Sequence, residues 1–198
     1  AVGLPGTVRR DRLMQLHLLR HPPVRVEEGI CYGSSDVPAH ALSDTQVRGL
    51  RERLGGRLRI HSSPLSRCRL LAARLRRAGD ALRIDARLRE IDFGEWELQR
   101  YRDIDRARID AWAAHPWHFV PPEGESADAM SRRVLGALDE LLAEARQERA
   151  QGVLIVAHGG PLRVIQGQLR GLPREQWLGL ECAPGSLYSL VLDAKHAS

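Results

Sequence analysis

The chain has 198 residues and a mass of 22.2 kDa, a length that suits one globular domain over 1–198 rather than two independent cores. No apolar run approaches the ~18 residues of a membrane span, and the first eleven residues lack the apolar stretch of a secretory signal. We therefore expect a cytoplasmic protein with no membrane partner and a flexible segment over 1–11. The net charge of +5 and the pI of about 9.7 are also compatible with a nucleic-acid partner.

Five apolar runs predict strands, in chain order over 14–19, 59–63, 81–84, 153–157 and 186–192. Between them, capping residues and periodic apolar positions predict helices that begin near Ser43, Ser63, Ser126 and Pro161. The first helix has a capping box at 43–46 and an apolar face that continues to Leu58. The segment 98–125, which is rich in tryptophan and proline, is predicted as one helix and a loop that form a small cap insertion.

This alternation predicts an α/β fold, a three-layer sandwich with a mostly parallel central sheet flanked by helices. In such sheets the ligand crevice lies beyond the carboxyl ends of the strands. The first strand brings Arg20 and His21 to that edge, the second brings Ser63 with Arg67 in the next helix, and the fourth brings His158. Two arginines and two helix N-termini make the crevice electropositive, so we expect a phosphate dianion or a similar oxyanion as its ligand.

Four segments carry a resemblance to a known family: Leu-Arg-His at 19–21, Ser-Ser-Pro-Leu-Ser-Arg-Cys at 62–68, Leu-Arg-Glu-Ile-Asp-Phe-Gly-Glu-Trp-Glu at 88–97, and His-Gly-Gly at 158–160. In type and order they resemble the motifs of the histidine phosphatase superfamily, also called phosphoglycerate mutase-like, over about 16–190. Two further stretches, 31–38 and 122–126, resemble the alpha-ribazole phosphatases of the cobalamin pathway, with Glu123 where a glycine is usual.

The resemblance implies a covalent mechanism in which His21 attacks phosphorus in line and carries a phosphohistidine intermediate. His158 would serve as a charged or neutral donor to a phosphoryl oxygen, and the two arginines would neutralise charge in the transition state. The residues implied in substrate binding are Arg20, Arg67, His158, Ser63 and Gly159.

The same resemblance implies that Glu90 protonates the leaving oxygen and then takes a proton from the attacking water. The residues alone do not rank Glu90 above Asp92, Glu95 and Glu97 for this role. One departure from the family concerns Pro22, which stands where glycine is usual. Because proline has no N–H, a backbone donor is lost, and binding of a second phosphate is less favoured.

No metal or cofactor is expected. Cys31, Cys68 and Cys182 are odd in number and far apart, which favours reduced, buried thiols over disulfides or a zinc site. His115 and His118 have a proline between them and no evident third ligand.

We therefore expect a metal-independent phosphomonoesterase for a small phosphate ester, with alpha-ribazole phosphate as the substrate that the resemblance names. A broad-specificity phosphatase, a phosphoglycerate mutase-like phosphotransferase and an inactive phosphate-binding module are the alternatives. Nucleic acid is not expected as a partner, since the 29 arginines are scattered and aromatic residues make up only 5% of the chain. A homodimer is left open.

Overall fold

The computed structural model describes residues 13–192, in which a single five-stranded sheet is formed. Its strands are β1 (Met14–Arg20), β2 (Leu58–Ser62), β3 (Ala81–Ile84), β4 (Gly152–Ala157) and β5 (Leu187–Leu192). They lie in the order β3-β2-β4-β1-β5, and only the β1–β5 pair is antiparallel among these strands. The predicted mostly parallel sheet is confirmed. The segment predicted to be flexible, 1–11, lies outside the described residues.

Helices cover both faces of the sheet. The α-helices of the described range are α1 (Asp44–Leu54), α2 (Ser66–Leu75), α3 (Arg106–Ala114), α4 (Ala127–Gln147) and α5 (Gly159–Leu169). The core formed by α1 and α2 lies on one face, and the core formed by α4 and α5 lies on the other. The three-layer α/β sandwich is therefore confirmed. Within residues 13–192, no helix is long and apolar enough to cross a bilayer.

The central strand β4 explains why its sequence is an uninterrupted apolar run. Successive side chains of a strand point to opposite faces, so a strand covered on both faces needs apolar residues at every position. Val153 and Ile155 belong to the core beneath α4 and α5, whereas Leu154 and Val156 belong to the core beneath α1 and α2. All four are fully buried.

The structure corrects three predicted helix boundaries. The capping box of α1 is present, but the helix ends at Leu54 because Gly55 adopts φ +69°, and Leu58 begins β2. The second helix was predicted to start at Ser63, yet α2 begins at Ser66. The last predicted start, Pro161, is already inside α5, since a proline is tolerated in a first turn whose N–H groups lack helical partners.

The segment between β3 and α4 reaches the start of α5, where Glu90 contacts the Gly160 amide. It contains short 3-10 turns and α3, the single helix predicted for the cap. Phe93 and Trp96 pack with Cys31 and Ile104 in a small separate core. The single-domain organisation and the cap bounds of 98–125 stay predictions.

Candidate active site

His21 follows β1 directly and is 2% exposed. Its Nδ1 lies 2.7 Å from the carbonyl oxygen of Pro22. Because a carbonyl oxygen only accepts, Nδ1 carries the proton of the neutral ring and Nε2 keeps a free lone pair. Burial lowers the pKa of His21 to about 4, and the nearby Arg67 and Arg20 also disfavour its protonation. At neutral pH this imidazole is therefore uncharged. The proline at position 22 removes a backbone N–H, but the contact that sets the tautomer of His21 uses the Pro22 carbonyl, which proline keeps.

Arg67, in the first turn of α2, is 3% exposed and held by three hydrogen bonds. Its Nε donates to Nδ1 of His158 at 3.2 Å, and its two terminal nitrogens donate to the carbonyl oxygens of Ser35 at 2.7 Å and Gly33 at 2.6 Å. A guanidinium has five N–H donors in a fixed plane, so two remain for an oxyanion.

His158 is the N-cap residue of α5 and is fully buried. The Arg67 N–H points at its Nδ1, which must therefore be unprotonated, and the ring proton sits on Nε2, 2.8 Å from the Ser63 hydroxyl oxygen. Burial, with the neighbouring Arg67, His21 and Arg20, holds the pKa of His158 well below its usual range. Of the two protonation forms left open by the sequence, the structure favours the neutral ring, whose single N–H faces Ser63. Its ring centre lies 5.2 Å from that of His21.

Arg20, the last residue of β1, lies against the start of α5. One terminal nitrogen donates to the carbonyl of Cys182. A Cβ placed on Gly159 would lie 3.2 Å from the Arg20 guanidinium carbon, so this glycine permits the close approach. Together with the contacts of His21, Arg67 and His158, these positions show that the residues predicted for phosphate binding meet at one edge of the sheet.

Ser63 does not cap a helix, contrary to the prediction. Its hydroxyl lies beside His158, while the N-cap position of α2 is occupied by Leu65 without a side-chain bond. The Ser63 hydroxyl also accepts the Leu65 amide at 3.3 Å. Ser63 therefore contacts the buried imidazole and orients its Nε2.

The structure separates the four candidate carboxylates by their partners. Glu90 is half-buried and accepts the amide of Gly160 at 3.2 Å, at the start of α5 and two residues after His158. Asp92 instead accepts a local turn amide, and Glu95 is exposed. Glu97 accepts hydrogen bonds from the main-chain amides of the 33–35 loop. Of these four, Glu90 is the one that the structure places beside the residues predicted to bind phosphate.

Arg133 of α4 was not predicted as a site residue. Its side chain hydrogen-bonds to the main chain of the segment that carries Glu90. Its terminal nitrogens donate to the main-chain carbonyls of Arg87 at 2.7 Å, Arg89 at 2.8 Å and Glu90 at 3.1 Å, and it pairs with Glu125. Nothing in the sequence distinguishes Arg133 from the many other arginines. Only the meeting of α4 with the 87–90 segment identifies it.

The remaining predictions concern metals and thiols. Within residues 13–192, no group of three or more histidine, cysteine, aspartate or glutamate side chains is arranged to hold a metal ion. His115 and His118 are exposed in the cap. The three cysteines are free and buried, as predicted. Cys68 packs against His158, with its sulfur 3.4 Å from Nε2, and burial raises the pKa of this thiol.

Comparisons with known proteins identify the family. The family model of the histidine phosphatase superfamily (branch 1) matches residues 16–198. The chain is 26% identical to the adenosylcobalamin/alpha-ribazole phosphatase of Escherichia coli, over 93% of each chain. It is 32% identical to the glucosyl-3-phosphoglycerate phosphatase of Mycolicibacterium vanbaalenii, over 84% of this chain and 78% of the relative.

A solved structure shows the same fold. The mycobacterial glucosyl-3-phosphoglycerate phosphatase in complex with inorganic phosphate superposes with a TM-score of 0.74 at 29% identity, over 89% of this chain and 88% of the other. The match to the family model covers most of the chain and includes the site described above. The chain therefore belongs to the histidine phosphatase superfamily and is a phosphatase, a hydrolase of phosphate esters.

Proposed function

We propose that the protein is a metal-independent phosphomonoesterase that acts through a phosphohistidine on His21. The observation that carries the proposal is the Nδ1–H bond to the Pro22 carbonyl, which leaves the Nε2 lone pair of a neutral, buried imidazole free to attack. In the first step Nε2 bonds to phosphorus and the bond from phosphorus to the ester oxygen breaks. The departing oxygen takes the proton of the Glu90 carboxyl group.

In the second step water attacks the phosphohistidine. Glu90 accepts a proton from this water, the new oxygen bonds to phosphorus, and the bond from phosphorus to Nε2 breaks. Inorganic phosphate leaves, and His21 and Glu90 return to their initial states. The position of Glu90 at the Gly160 amide, close to His158, supports its use in both steps.

The charge of the phosphoryl group is met by side chains of the chain itself. Arg67 has two N–H donors left after its protein contacts, and Arg20 lies at the same edge of the sheet. His158 stays neutral and gives its single N–H to Ser63 while its Nδ1 orients Arg67, so it adds no charge beside His21. This donor set supplies the positive charge that a metal ion supplies in other phosphatases.

For the substrate we propose a small phosphorylated metabolite, and alpha-ribazole phosphate is the first candidate to test. It is supported by the stretches at 31–38 and 122–126 and by the relative from Escherichia coli that matches over 93% of the chain. Glucosyl-3-phosphoglycerate is the second candidate, supported by the 32% identity to the mycobacterial enzyme. A comparison of kcat/KM across phosphate esters that include both compounds decides between them.

The mechanism is tested with p-nitrophenyl phosphate in the presence of EDTA. We expect the wild-type enzyme to be active, His21→Ala to lose turnover, and acid-labile phosphate to be trapped on the wild-type protein alone. His40→Ala, an exposed histidine elsewhere in the chain, is the matched control and should keep its activity. Full activity of His21→Ala would refute the nucleophile, and loss of wild-type activity in EDTA would refute metal independence.

A further inference from the structure

A short loop beside the phosphate site is held by a single carboxylate. Glu97 accepts the successive main-chain amides of Gly33, Ser34 and Ser35 at 3.0, 2.9 and 3.2 Å. It also accepts the Ser35 hydroxyl at 2.5 Å and, from its own segment, the Phe93 amide at 3.0 Å. A carboxylate offers about four lone-pair positions, so its acceptor capacity is filled by these donors.

The same loop holds the phosphate-binding guanidinium from its other side. The carbonyl oxygens of Gly33 and Ser35 accept the two terminal nitrogens of Arg67 at 2.6 and 2.7 Å. Gly33 and Ser35 therefore donate their amides to Glu97 and accept from Arg67 with their carbonyl oxygens, so the loop links the two side chains. The third Arg67 contact, with His158, comes from a different element and does not depend on this loop.

The loop has little room to shift. A Cβ placed on Gly33 would overlap the carbonyl oxygen of Ile91 and lie 2.9 Å from Glu97 Oε1, so the backbone is pressed against the segment that carries the carboxylate. Burial alone would raise the pKa of Glu97, but the hydrogen bonds from Ser35, Gly33, Phe93 and Ser34 lower it below its usual value. The group is thus an ionised acceptor without a free oxygen to exchange protons with a substrate.

We propose that Glu97 is a positioning residue, which sets the orientation of Arg67 toward phosphate through the 33–35 loop. The inference rests on the proposed function for its catalytic consequence, but its first consequence is phosphate binding to the resting enzyme. A loop that lost this carboxylate would release two of the three protein hydrogen bonds of Arg67. The guanidinium would then sample orientations in which its two remaining N–H donors no longer face the anion together.

The test is Glu97→Gln, which preserves shape but puts an NH2 group where one acceptor oxygen faced main-chain N–H donors. We expect inorganic phosphate, measured by calorimetry, to bind about 10-fold or more weakly, since a misdirected guanidinium no longer makes two charge-assisted hydrogen bonds to the anion together. We expect kcat/KM to fall by a similar factor for an aryl ester and for an alkyl ester. Glu95→Gln, two residues earlier and exposed, is the control and should match the wild type.

An acid/base role would give a different pattern. Glu90→Gln should lower kcat/KM far more for the alkyl ester, whose leaving oxygen needs a proton, than for p-nitrophenyl phosphate. If Glu97→Gln shows this leaving-group dependence, or binds phosphate as tightly as the wild type, the positioning role is refuted. Binding does not require turnover, so this result is independent of whether His21 proves to be the nucleophile.

Two further variants guard against a general loss of structure. Ser35→Ala removes one hydroxyl donor to Glu97 but keeps the carbonyl that holds Arg67, and it should weaken phosphate binding in the same direction by a smaller factor. In an Arg67→Lys background, Glu97→Gln should have little additional effect, because lysine lacks the fork that the loop orients. Fully additive losses would refute the coupling.

Discussion

Gly160→Ala tests whether Glu90 is the proton donor without altering any ionisable group. Gly160 is the second residue of α5, and its amide donates to Glu90 Oε2 at 3.2 Å. A Cβ at this position would lie less than 3.0 Å from Glu90 Oε1, and 3.0 Å from the sulfur of Met130. Since Met130 is 1% exposed, it has little room to yield. The main chain of Glu90 is also held, by Arg133, so the carboxyl group has to move.

The size of the effect follows from this displacement. The carboxyl group must retreat by about 1 Å to regain ordinary contact, and a misplacement of that size costs about 10²-fold in rate. We therefore expect kcat/KM for an alkyl phosphate to fall about 100-fold, or roughly 2.7 kcal/mol of transition-state stabilisation. For p-nitrophenyl phosphate the loss should be under about 10-fold, because its leaving group departs as a stable anion and needs little general-acid help.

The assay compares kcat/KM for the two esters, because this parameter reports on the steps up to phosphoryl transfer and excludes the later hydrolysis of the phosphohistidine. Gly136→Ala is the matched control. Gly136 lies in α4 with no heavy atom within 4 Å of its added Cβ, so alanine should preserve activity and stabilise the helix by up to about 1 kcal/mol. Equal losses on both esters in Gly160→Ala, or an unchanged alkyl rate, would refute the assignment of Glu90.

Two further predictions concern stability. The lowered pKa of His21 means that between about pH 6.5 and 4 the unfolded chain binds a proton that the folded chain does not, so protonation in this window destabilises the fold. His21→Ala should therefore gain stability relative to the wild type as the pH falls through this range in urea unfolding, and a constant difference would contradict the lowered pKa. Glu123 adopts φ +56°, a left-handed conformation that favours glycine. Glu123→Gly should raise the free energy of unfolding by about 0.5–1 kcal/mol, after the entropy cost of glycine in the unfolded chain, whereas a loss of stability would show that the Glu123 side chain compensates for the strain.

Much of the site was predictable because it depends on local sequence. The apolar runs of β1 and β4 can be recognised in the sequence, and Arg20, His21 and His158 lie at their carboxyl ends. Parallel strands bring these ends to one edge of the sheet. The glycine expected at position 123 was likewise visible as a departure from a motif, and the positive φ of Glu123 gives its physical meaning. Helix ends were less predictable, since the apolar period of α1 continues past Gly55 into β2.

The ranking of the carboxylates was not predictable. Glu90, Asp92 and Glu97 lie within eight positions of one another, and their residue types are chemically equivalent. What separates them is which donors face them. Asp92 accepts a local turn amide, whereas distant donors face the other two: the Gly160 amide for Glu90 and the 33–35 loop for Glu97. The same holds for Arg133, whose main-chain carbonyl partners at 87, 89 and 90 lie more than 40 residues away.

From residue types alone one can predict the alternation of strands and helices, the sheet edge at which the basic and imidazole groups gather, and the family to which the chain belongs. Local periodicity and motif order suffice for those properties, because they depend on residue types and spacing. The proton positions on His21 and His158, the different partners of Glu90 and Glu97, and the two N–H donors of Arg67 that are free of protein partners become visible in the folded chain. Those properties depend on which lone pairs and N–H groups meet across the fold, and such pairings arise only when distant segments pack together.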